Sequence, residues 1–448
     1  MLSVLLLSVC CSTQPEVLVF TRTVGFRHGS VDRGSAAIAE LGEGRWLTTR
    51  TEDPAEFTPG NLSEYDAVVF LNTTMDVLDE RQQAALQAYL EGGGGWLGIH
   101  AAADTEYDWP FYGESLLGGA WFKTHPRVQE ATVNVEDVHH PAMADLPLHW
   151  TRTDEWYDYR ANPRGKVHVL ATIDESTYEP RAAMGDHPIA WSVPVGTGVA
   201  LYTGGGHTNE AFDEPLFRQH LAQSLEFVMA GGWIDLIGSG MKGWNNCWSA
   251  WGNVGAVHLD PEDPSKLLSD PGRGVFWNGD SGRSIDAVTE DRFGDCAIHL
   301  EWMMAKGSNS GIYVQGCYEV QILDSWGVTE PEAHDAGGVY QRWDPDRGEG
   351  SEGFEGHAPR VNAARKPGRW QTFDIVFRAA RWNEAGEKVQ NARFERVVHN
   401  GILIHEDVEL KGPTRGGWDE SPDPGAIRLQ GDHGPVAVRN LRVRRLGP

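Results

Sequence analysis

The pattern of predicted elements changes near residue 232, and this change constrains the fold more than any other feature of the sequence. Before it, apolar strands alternate with amphipathic helices, which favours a mostly parallel, doubly wound α/β sheet. After it, helical periodicity almost vanishes, and short strands between Gly, Asp and Asn turns predict an all-β sandwich or jelly roll. The first set comprises strands at 16–23, 64–74, 96–102, 167–173 and 199–204 and helices at 30–41, 79–91 and 215–230.

The second set of predicted elements contains strands only. These strands are at 296–304, 311–316, 318–324, 370–381, 392–410, 426–430 and 436–446. The stretch 392–410 is predicted to be a hairpin, because Asn400 and Gly401 suit a type I′ turn. A chain of 448 residues is also too long for one ordinary core. We therefore expect an α/β domain over 16–231 and a β-sandwich domain over 232–448.

Residues 1–15 form a separate segment, in which the apolar run MLSVLLLSVCC is too short to span a bilayer and is typical of a signal peptide. A cysteine at the end of such a run indicates a lipoprotein that is lipidated at Cys10 or Cys11. We therefore expect an exported protein, periplasmic or attached to the outer membrane by a lipid anchor. In such a protein Cys247, Cys296 and Cys317 could include one disulfide, and the sequence leaves the pairing open.

Charge and aromatic content narrow the class of partners. The 38 basic and 64 acidic residues give a formal net charge of −26, which excludes nucleic acid as a favoured partner. The 18 tryptophans are far above normal usage; most of them can fill cores, and exposed indole rings bind the apolar face of sugars. This composition fits a protein that handles neutral substrates.

Polar side chains follow several predicted strands of the first domain. In a doubly wound sheet, ligands bind at the carboxyl ends of the strands. The candidates on this argument are His28, His100, Asp104, Asp154, Glu155, His207 and Glu210. The histidines could meet there as a metal site, and the alternative for each is an ordinary loop or core position.

The stretch GIHAA is similar to the sharp strand-to-helix turn that exposes nucleophiles. Class I glutamine amidotransferases carry a cysteine there, and His100 in its place argues against amidotransferase chemistry. Together with GFRHGS, GGWLGIHAAADTEYDWPFYGESLLGGAWFKTHP, DEWYDY, GDHPIAW and YTGGGHTNEAF, it resembles the ThuA-like family, named for trehalose utilisation. The resemblance covers about residues 16–230. It implies a flavodoxin-like, glutamine-amidotransferase-like fold without the catalytic cysteine, and a link to keto-sugar metabolism. It also implies that the pocket is lined by His28, His100, Asp104, Glu155 and His207.

The strand YEVQILD at 318–324 raises a question about its polar face. Glu319 and Gln321 project to one side, and Val320 and Ile322 to the other. The polar side is either a solvated sheet face or the floor of an active site. Asp324 has the opposite parity and joins Glu319 only if the strand bulges. A similar strand of spaced acids serves β-sandwich glucanases, which use two carboxylates as nucleophile and acid.

The stretch GSNSGIYVQGCYEVQILDSW resembles the 3-keto-disaccharide hydrolase domain. DLIGSGMKGW and GDCAIHLEW before it, and LQGDHGPVAVRNLRVRRL after it, extend the resemblance over about residues 232–446. The resemblance implies a concanavalin-like or jelly-roll sandwich with a sugar cleft on its concave face, and a substrate oxidised at C3.

Such a substrate can be cleaved by elimination, because the C3 ketone acidifies the proton at C2. A base removes that proton, the enolate expels the group on C1, and water addition completes a net hydrolysis. We expect Glu319 or His433 as base. The full predicted set is Glu319, Gln321, Asp324 and His433 as catalytic residues, with Asn309, Ser310, Trp326 and Asp432 as sugar-binding residues. The alternative for the 309–311 and 431–434 stretches is an ordinary turn.

A divalent metal ion is the only cofactor that we expect, and Glu319, Asp432 and His433 are conceivable ligands for it.

The leading hypothesis is an exported enzyme that cleaves 3-keto-glycosides, by hydrolysis or by elimination and hydration. The first domain would bind or further transform the keto-sugar, and a separate glycoside 3-oxidase or dehydrogenase would supply the substrate. The alternatives are a non-catalytic carbohydrate-binding protein and a retaining glycosidase on unoxidised glucans. The aglycone, the linkage, the metal and the oligomeric state stay open.

Overall fold

The structure is a computed structural model that describes residues 14–238, 242–245 and 251–447. The chain divides into two compact units, Met1–Gly232 and Trp233–Pro448. The predicted lipidation sites Cys10 and Cys11 lie outside the described residues, and so does Cys247. Cys296 and Cys317 are buried free thiols. None of the helices in the described part of the chain is long and apolar enough to cross a membrane.

The first unit is built on a nine-stranded sheet in the order β2-β1-β3-β4-β11-β10-β9-β6-β7. The strands are β1 Glu16–Phe20, β2 Leu47–Thr51, β3 Ala67–Leu71, β4 Gly95–Ile99, β5 Phe122–Thr124, β6 Gln129–Val135, β7 His149–Asp154, β8 Asp158–Tyr159, β9 His168–Asp174, β10 Pro188–Val195 and β11 Gly198–Thr203. The neighbouring strands β2, β1, β3, β4 and β11 run parallel to one another, as predicted. Strands β10, β9, β6 and β7 extend the sheet in antiparallel fashion. Strands β5 and β8 form a separate pair.

The antiparallel strands extend the predicted parallel sheet, and their direction was not foreseen. Strands β6 and β7 alternate buried and exposed positions, so they lack the continuous apolar run that marks a buried parallel strand. Strands β3, β4 and β11 carry such runs and are buried along their whole length. Because β4 and β11 are parallel, with Ile99 opposite Thr203, the residues that follow them emerge at the same sheet edge.

The described part of this unit has four α-helices, of which the first three connect parallel strands and the fourth follows β11. They are α1 Val31–Leu41, α2 Pro59–Leu62, α3 Glu80–Glu91 and α4 Pro215–Met229. Short 3-10 or π turns occupy Pro54–Glu56, His100–Asp104, Tyr112–Leu116, Pro141–Met143, Glu175–Thr177 and Glu210–Asp213. The three long helices confirm the prediction, and α3 begins at an Asp79 capping box and ends at Gly92. Ser30 precedes α1 but does not cap it; its hydroxyl donates to the Gly206 carbonyl instead (3.1 Å).

The second unit contains two antiparallel sheets packed face to face. Its strands are β12 Trp233–Asp235, β13 Trp244–Asn245, β14 Gly252–Leu259, β15 Leu267–Trp277, β16 Ala287–Thr289, β17 Cys296–Met304, β18 Asn309–Val314, β19 Tyr318–Leu323, β20 Arg342–Trp343, β21 Gly353–Phe354, β22 Gln371–Arg378, β23 Arg381–Trp382, β24 Lys388–Gln390, β25 Ala392–His399, β26 Ile402–Leu410, β27 Arg428–Leu429 and β28 Val436–Arg445. One 3-10 turn, Pro345–Arg347, lies among them.

The larger sheet has eight strands, in the order β14-β15-β28-β17-β22-β25-β26 with β12 added on β28, and the smaller has the order β13-β16-β27-β18-β19. Aromatic side chains join the two sheets. Trp244 packs on Phe276 and Tyr318 on Phe377, with ring centroids 4.9 and 5.6 Å apart. The unit is therefore the predicted β-sandwich of jelly-roll type. The predicted hairpin is also present, and Asn400 and Gly401 have the positive φ values, 51° and 80°, of a type I′ turn.

We predict that Trp302→Ala lowers the free energy of unfolding of the second unit by about 3–5 kcal/mol, because it leaves a large cavity in the sandwich core. Trp302 is fully buried, and its ring centroid lies 5.3 Å from that of Phe373. Urea denaturation followed by circular dichroism measures the change. The control is Trp343→Ala, since Trp343 is 39% exposed and should cost about 1 kcal/mol or less. Equal costs for the two substitutions would contradict this description of the core.

Candidate functional site

In the first unit, four side chains from separate loops converge at the carboxyl ends of the parallel strands. They are His28, His100, Glu155 and His207, and one possible ligand atom from each lies within 4.8 Å of the others. His28, His100 and Glu155 are buried, and 23% of the His207 side chain is exposed. The structure thus brings together four of the five residues that the family resemblance implies for this pocket.

The closest contacts in this cluster centre on Glu155. Its Oε2 lies 3.1 Å from Nδ1 of His207 and 3.6 Å from Nε2 of His100. The two histidine nitrogens are 3.3 Å apart. The His28 ring packs edge-on against both histidine rings, with centroids 5.0 and 5.1 Å away.

Backbone geometry holds the cluster in place. His100 has φ +48°, so the sharp turn predicted after β4 is present and turns its side chain out of the strand. His100 Nδ1 bonds the Gly204 carbonyl at 3.0 Å. Buried Asp154 accepts hydrogen bonds from the backbone N–H groups of Gly206 and His207, at 2.7 and 3.0 Å. These bonds tie the loops after β4, β7 and β11 to one another.

Electrostatics within the cluster follows from burial and from the single carboxylate. Burial, helped by the neighbouring His100 and His207, lowers the pKa of His28 to about 2 and keeps its ring neutral. Burial alone would raise the pKa of Glu155, but the hydrogen bonds with His100 and His207 outweigh it and hold that pKa well below its usual range.

Asp104, the fifth predicted residue of this pocket, stands apart from the cluster. Its carboxylate accepts a hydrogen bond from the Tyr107 hydroxyl, and burial raises its pKa. Sequence reasoning missed His125, whose Nδ1 lies 2.9 Å from Oε1 of Glu155. His125 stands within the family motif GGWLGIHAAADTEYDWPFYGESLLGGAWFKTHP, but it follows the separate strand β5, so the strand-end rule did not select it.

In the second unit, Glu319 and Gln321 lie side by side on one face of β19. They expose only 2% and 3% of their surface, so this face is not a solvated one. Tyr318, on the opposite parity with Val320 and Ile322, contacts Phe377 in the other sheet. The apolar set therefore faces the sandwich core, as predicted, and the polar set faces away from it.

The environment of Glu319 is built by neighbouring strands. Gly311 lies beside it on β18, and a Cβ atom there would come within 2.0 Å of Glu319 Oε1, so only glycine leaves room for the carboxylate. In the orientation that satisfies its amide, Gln321 donates to Ser310 O (2.8 Å) and to Glu319 Oε1 (3.1 Å). Burial raises the pKa of Glu319 to about 8, although Tyr313 and Arg428 oppose the shift.

Arg428 is the cation of this sheet face. Tyr313 is paired with Glu319 on one side and with Arg428 of β27 on the other. The guanidinium stacks on the Tyr313 ring at 3.8 Å and lies 5.2 Å from the Trp418 ring. It also pairs with Asp286 (3.2 Å) and donates to the Gly416 carbonyl (2.7 Å), which leaves its buried Nε without an acceptor among the described residues.

Asp324 does not join Glu319. The β18–β19 register is regular from Asn309 to Val314, so the strand has no bulge that would turn Asp324 to the polar face. Instead Asp324 follows the end of β19 and accepts a hydrogen bond from the Gly307 N–H (2.9 Å). The structure therefore does not bring Asp324 to the polar face of β19, and its carboxylate bonds a loop instead.

His433 and Asp432, which were predicted as conceivable metal ligands together with Glu319, lie in a loop after β27. His433 and Asp432 bond each other in an exposed loop, where 49% and 56% of their side chains are accessible. Within the described ranges, the ligand atoms that lie close enough together to hold a metal ion are those of the cluster in the first unit. Glu319, Asp432 and His433 do not form such a group. Asp432 and His433 lie in the loop after β27, where no strand pairing determines the direction of a side chain. The sequence alone therefore could not predict where these two side chains lie.

The remaining predicted sugar-binding residues are Asn309 and Ser310, at the beginning of β18, and Trp326, which follows β19. Ser310 is buried and donates to the Gln430 carbonyl (2.8 Å), so its hydroxyl has a structural role. Asn309 shares the face of Glu319, and its buried Oδ1 lacks a hydrogen-bond partner in the part of the chain that the structure describes. Trp326 is 53% exposed, with the Lys366 ammonium 5.4 Å from its ring. Asn309 and Trp326 are thus available to a ligand.

Sequence reasoning missed Tyr313, Arg428 and Asp286 on this face. Tyr313 belongs to the quoted motif, and a three-residue turn between β18 and β19 fixes its place opposite Glu319. The length of this turn could therefore have predicted that Tyr313 pairs with Glu319. Arg428 and Asp286 come from strands distant in sequence, and their register with β18 could not be predicted from the residues alone.

The raised pKa of Glu319 predicts a pH-dependent stability. Because the folded state holds this proton more tightly than the unfolded state, the stabilisation is complete at low pH. It is lost as the pH rises from about 4.5 to about 8. In that pH window, the Glu319 carboxyl should lower the free energy of unfolding by up to about 1.4 kcal/mol per pH unit. Urea titrations of wild type and Glu319→Gln measure it, and equal slopes for both proteins would contradict the raised pKa.

The chain is a two-domain protein in which an α/β domain with a histidine cluster precedes a β-sandwich with a buried acid. The first domain belongs to the ThuA family, described as trehalose utilisation, which matches residues 16–228. The second belongs to the family described as the 3-keto-alpha-glucoside-1,2-lyase-like domain, which matches residues 232–444. The chain is therefore the fusion of two families that its motifs predict.

Solved structures resemble the chain over about half of its length. A thua-like protein from Bacteroides uniformis is 25% identical, with a TM-score of 0.44, over 48% of this chain and 93% of its own. A protein described as a glycosyl hydrolase from Parabacteroides distasonis is 27% identical, with a TM-score of 0.35, over 48% of this chain and 84% of its own. No curated protein matches the sequence.

Proposed function

We propose that the second unit cleaves the glycosidic bond of 3-keto-glycosides by removing the proton at C2, with Glu319 as the base. The observation that carries this proposal is the buried carboxyl of Glu319 beside Gly311 and on the same sheet face as Arg428. Burial raises the pKa of this carboxyl to about 8, near neutral pH. A general base works best when its pKa is close to the working pH. The description of the matching family as a 1,2-lyase-like domain supports the same chemistry.

The proposed reaction is an elimination followed by addition of water. Glu319 takes the proton from C2, and the electrons of the C–H bond form an enolate with the C3 carbonyl. The enolate returns its electrons to form a C1–C2 double bond, and the C1–O bond breaks. The released alkoxide takes the proton back from Glu319, so the products are an alcohol and an unsaturated 3-keto sugar. Addition of water across C1 and C2 then makes the overall change a hydrolysis.

Arg428 is placed to stabilise the enolate. Its Nε is a buried donor without an acceptor among the described residues, on the same sheet face as Glu319. A donor that is already oriented and desolvated stabilises a developing negative charge more strongly than water does. Stacking between Tyr313 and Trp418 fixes the plane of the guanidinium.

A retaining glycosidase is supported less well by this site. That mechanism needs two carboxyl groups about 5–5.5 Å apart, one as nucleophile and one as acid. The neighbour of Glu319 on β19 is the amide Gln321, and Asp324 is bonded to the Gly307 N–H outside the strand. Asp286, on the same face, is paired with Arg428.

A direct comparison of substrates tests the proposal. The full chain is incubated with 4-nitrophenyl 3-keto-glucoside and with the unoxidised 4-nitrophenyl glucoside, and nitrophenol release is followed. We expect release from the keto substrate only. Release from the plain glucoside would support a classical glycosidase, and binding without release from either would support a carbohydrate-binding protein.

The wider setting is part of the same proposal. We propose that the first unit binds or further transforms the keto-sugar, and that a separate oxidase or dehydrogenase of the glycoside C3 hydroxyl supplies the substrate. Export of the protein rests on the apolar run before Cys10 and Cys11 alone.

A further inference from the structure

We propose that His28, His100, Glu155 and His207 of the first unit bind a divalent transition-metal ion such as Zn²⁺. The atoms Nε2 of His100, Nδ1 of His207 and Oε2 of Glu155 form a triangle with sides of 3.1, 3.3 and 3.6 Å. Zinc holds nitrogen and oxygen ligands at about 2.0–2.1 Å, which separates neighbouring ligands of a tetrahedron by about 3.3 Å. The triangle therefore has the size of one face of a zinc coordination tetrahedron.

The hydrogen bonds around the cluster leave lone pairs directed inward. Gly204 O can only accept, so the 3.0 Å bond places a proton on Nδ1 of His100 and turns Nε2 toward His207 and Glu155, where it can coordinate an ion. His28 is 4% exposed, and its Nδ1 has no hydrogen-bond partner among the described residues. A buried nitrogen without a partner is costly in a purely structural cluster.

Neighbouring groups form the outer support that metal ligands usually have. His125 Nδ1 lies 2.9 Å from the second oxygen of Glu155 and orients that carboxylate. Asp154 holds the His207 backbone through its N–H group (3.0 Å). Imidazole and carboxylate ligands of this kind suit zinc and its neighbours in the first transition row.

The cluster is open on one side, where 23% of the His207 side chain and 41% of the His125 side chain are exposed. A ligand could reach the ion there. If the proposed function holds, the fitting ligand class is a sugar with a ketone next to a hydroxyl group, whose two oxygens can chelate one ion. The metal site itself does not depend on that function.

The test uses the full chain, purified without a histidine tag and stripped of metal with a chelator. Zn²⁺ is titrated into it by calorimetry, Co²⁺ binding is followed by visible absorption, and bound metal is counted by elemental analysis. We expect one ion per chain and a tetrahedral Co²⁺ spectrum. His207→Ala and Glu155→Gln should each weaken binding roughly 100-fold or more, since loss of an outer-shell partner alone costs 10–100-fold.

Two further variants control the result. His125→Ala should weaken binding by roughly 10–100-fold, as expected for an outer-shell partner. His334→Ala should bind as the wild type does, because His334 is an exposed histidine of the other unit. Circular dichroism shows that each variant is folded. Less than one ion per chain, or equal affinity in wild type and His207→Ala, would overturn the proposal. No sugar is present, so the outcome is independent of the proposed cleavage reaction.

Discussion

Glu319→Gln is expected to reduce nitrophenol release from a 3-keto-glucoside by roughly 10²–10⁴-fold, because the amide cannot accept the C2 proton. The substitution keeps the shape of a side chain that is 2% exposed. The fold should therefore survive, and the loss should appear in kcat. Steady-state kinetics of nitrophenol release measures the effect.

The matched control for this variant is Glu349→Gln, at an exposed position of the same unit, which should retain wild-type activity. The pH profile gives a second check. Since the base form is needed, the wild-type rate should rise with pH through about 8, the pKa of Glu319. A fully active Glu319→Gln enzyme would show that Glu319 is not the base.

Arg428→Met is expected to lower kcat on the keto substrate by roughly 10²–10³-fold, because it removes the donor placed to stabilise the enolate. The methionine stem can still lie between Tyr313 and Trp418, which limits structural damage. Arg428 also lowers the pKa of Glu319, so the variant's pH profile should move to higher pH. The kinetic constants and the pH profile are measured together.

Arg439→Met is the control for this second prediction. Arg439 also stacks on an aromatic ring, that of Trp370 at 4.1 Å, and also pairs with an acid, Glu301. It lies on β28 of the other sheet, so its loss should leave kcat nearly unchanged. A similar loss of kcat in both variants, with no shift of the pH profile, would contradict the role assigned to Arg428.

The sequence predicted the parts of this molecule that local chemistry decides. Continuous apolar runs marked β3, β4 and β11, and the Asn400-Gly401 pair marked the hairpin. The rule that parallel strands share one carboxyl edge also placed His100 and His207 in the same region. Glu155 follows β7, a strand of the antiparallel half that the sequence pattern did not predict, so strand direction alone could not bring it to the two histidines.

The parts that it did not predict depend on pairing between distant segments. Arg428 meets Tyr313 only because β27 lies beside β18, a register set by the whole sandwich. Asp324 was undecided because a bulge cannot be recognised from a six-residue strand. His433 lies in a loop, where residue type alone does not give direction.

Isotope labelling at C2 tests the central claim most directly. The full chain is given 4-nitrophenyl 3-keto-glucoside with deuterium or with hydrogen at C2, and the two rates of nitrophenol release are compared. Proton removal by Glu319 predicts slower release from the deuterated substrate and loss of deuterium from the sugar product. Equal rates with deuterium fully retained would show direct displacement at C1 and would contradict the proposed role of Glu319.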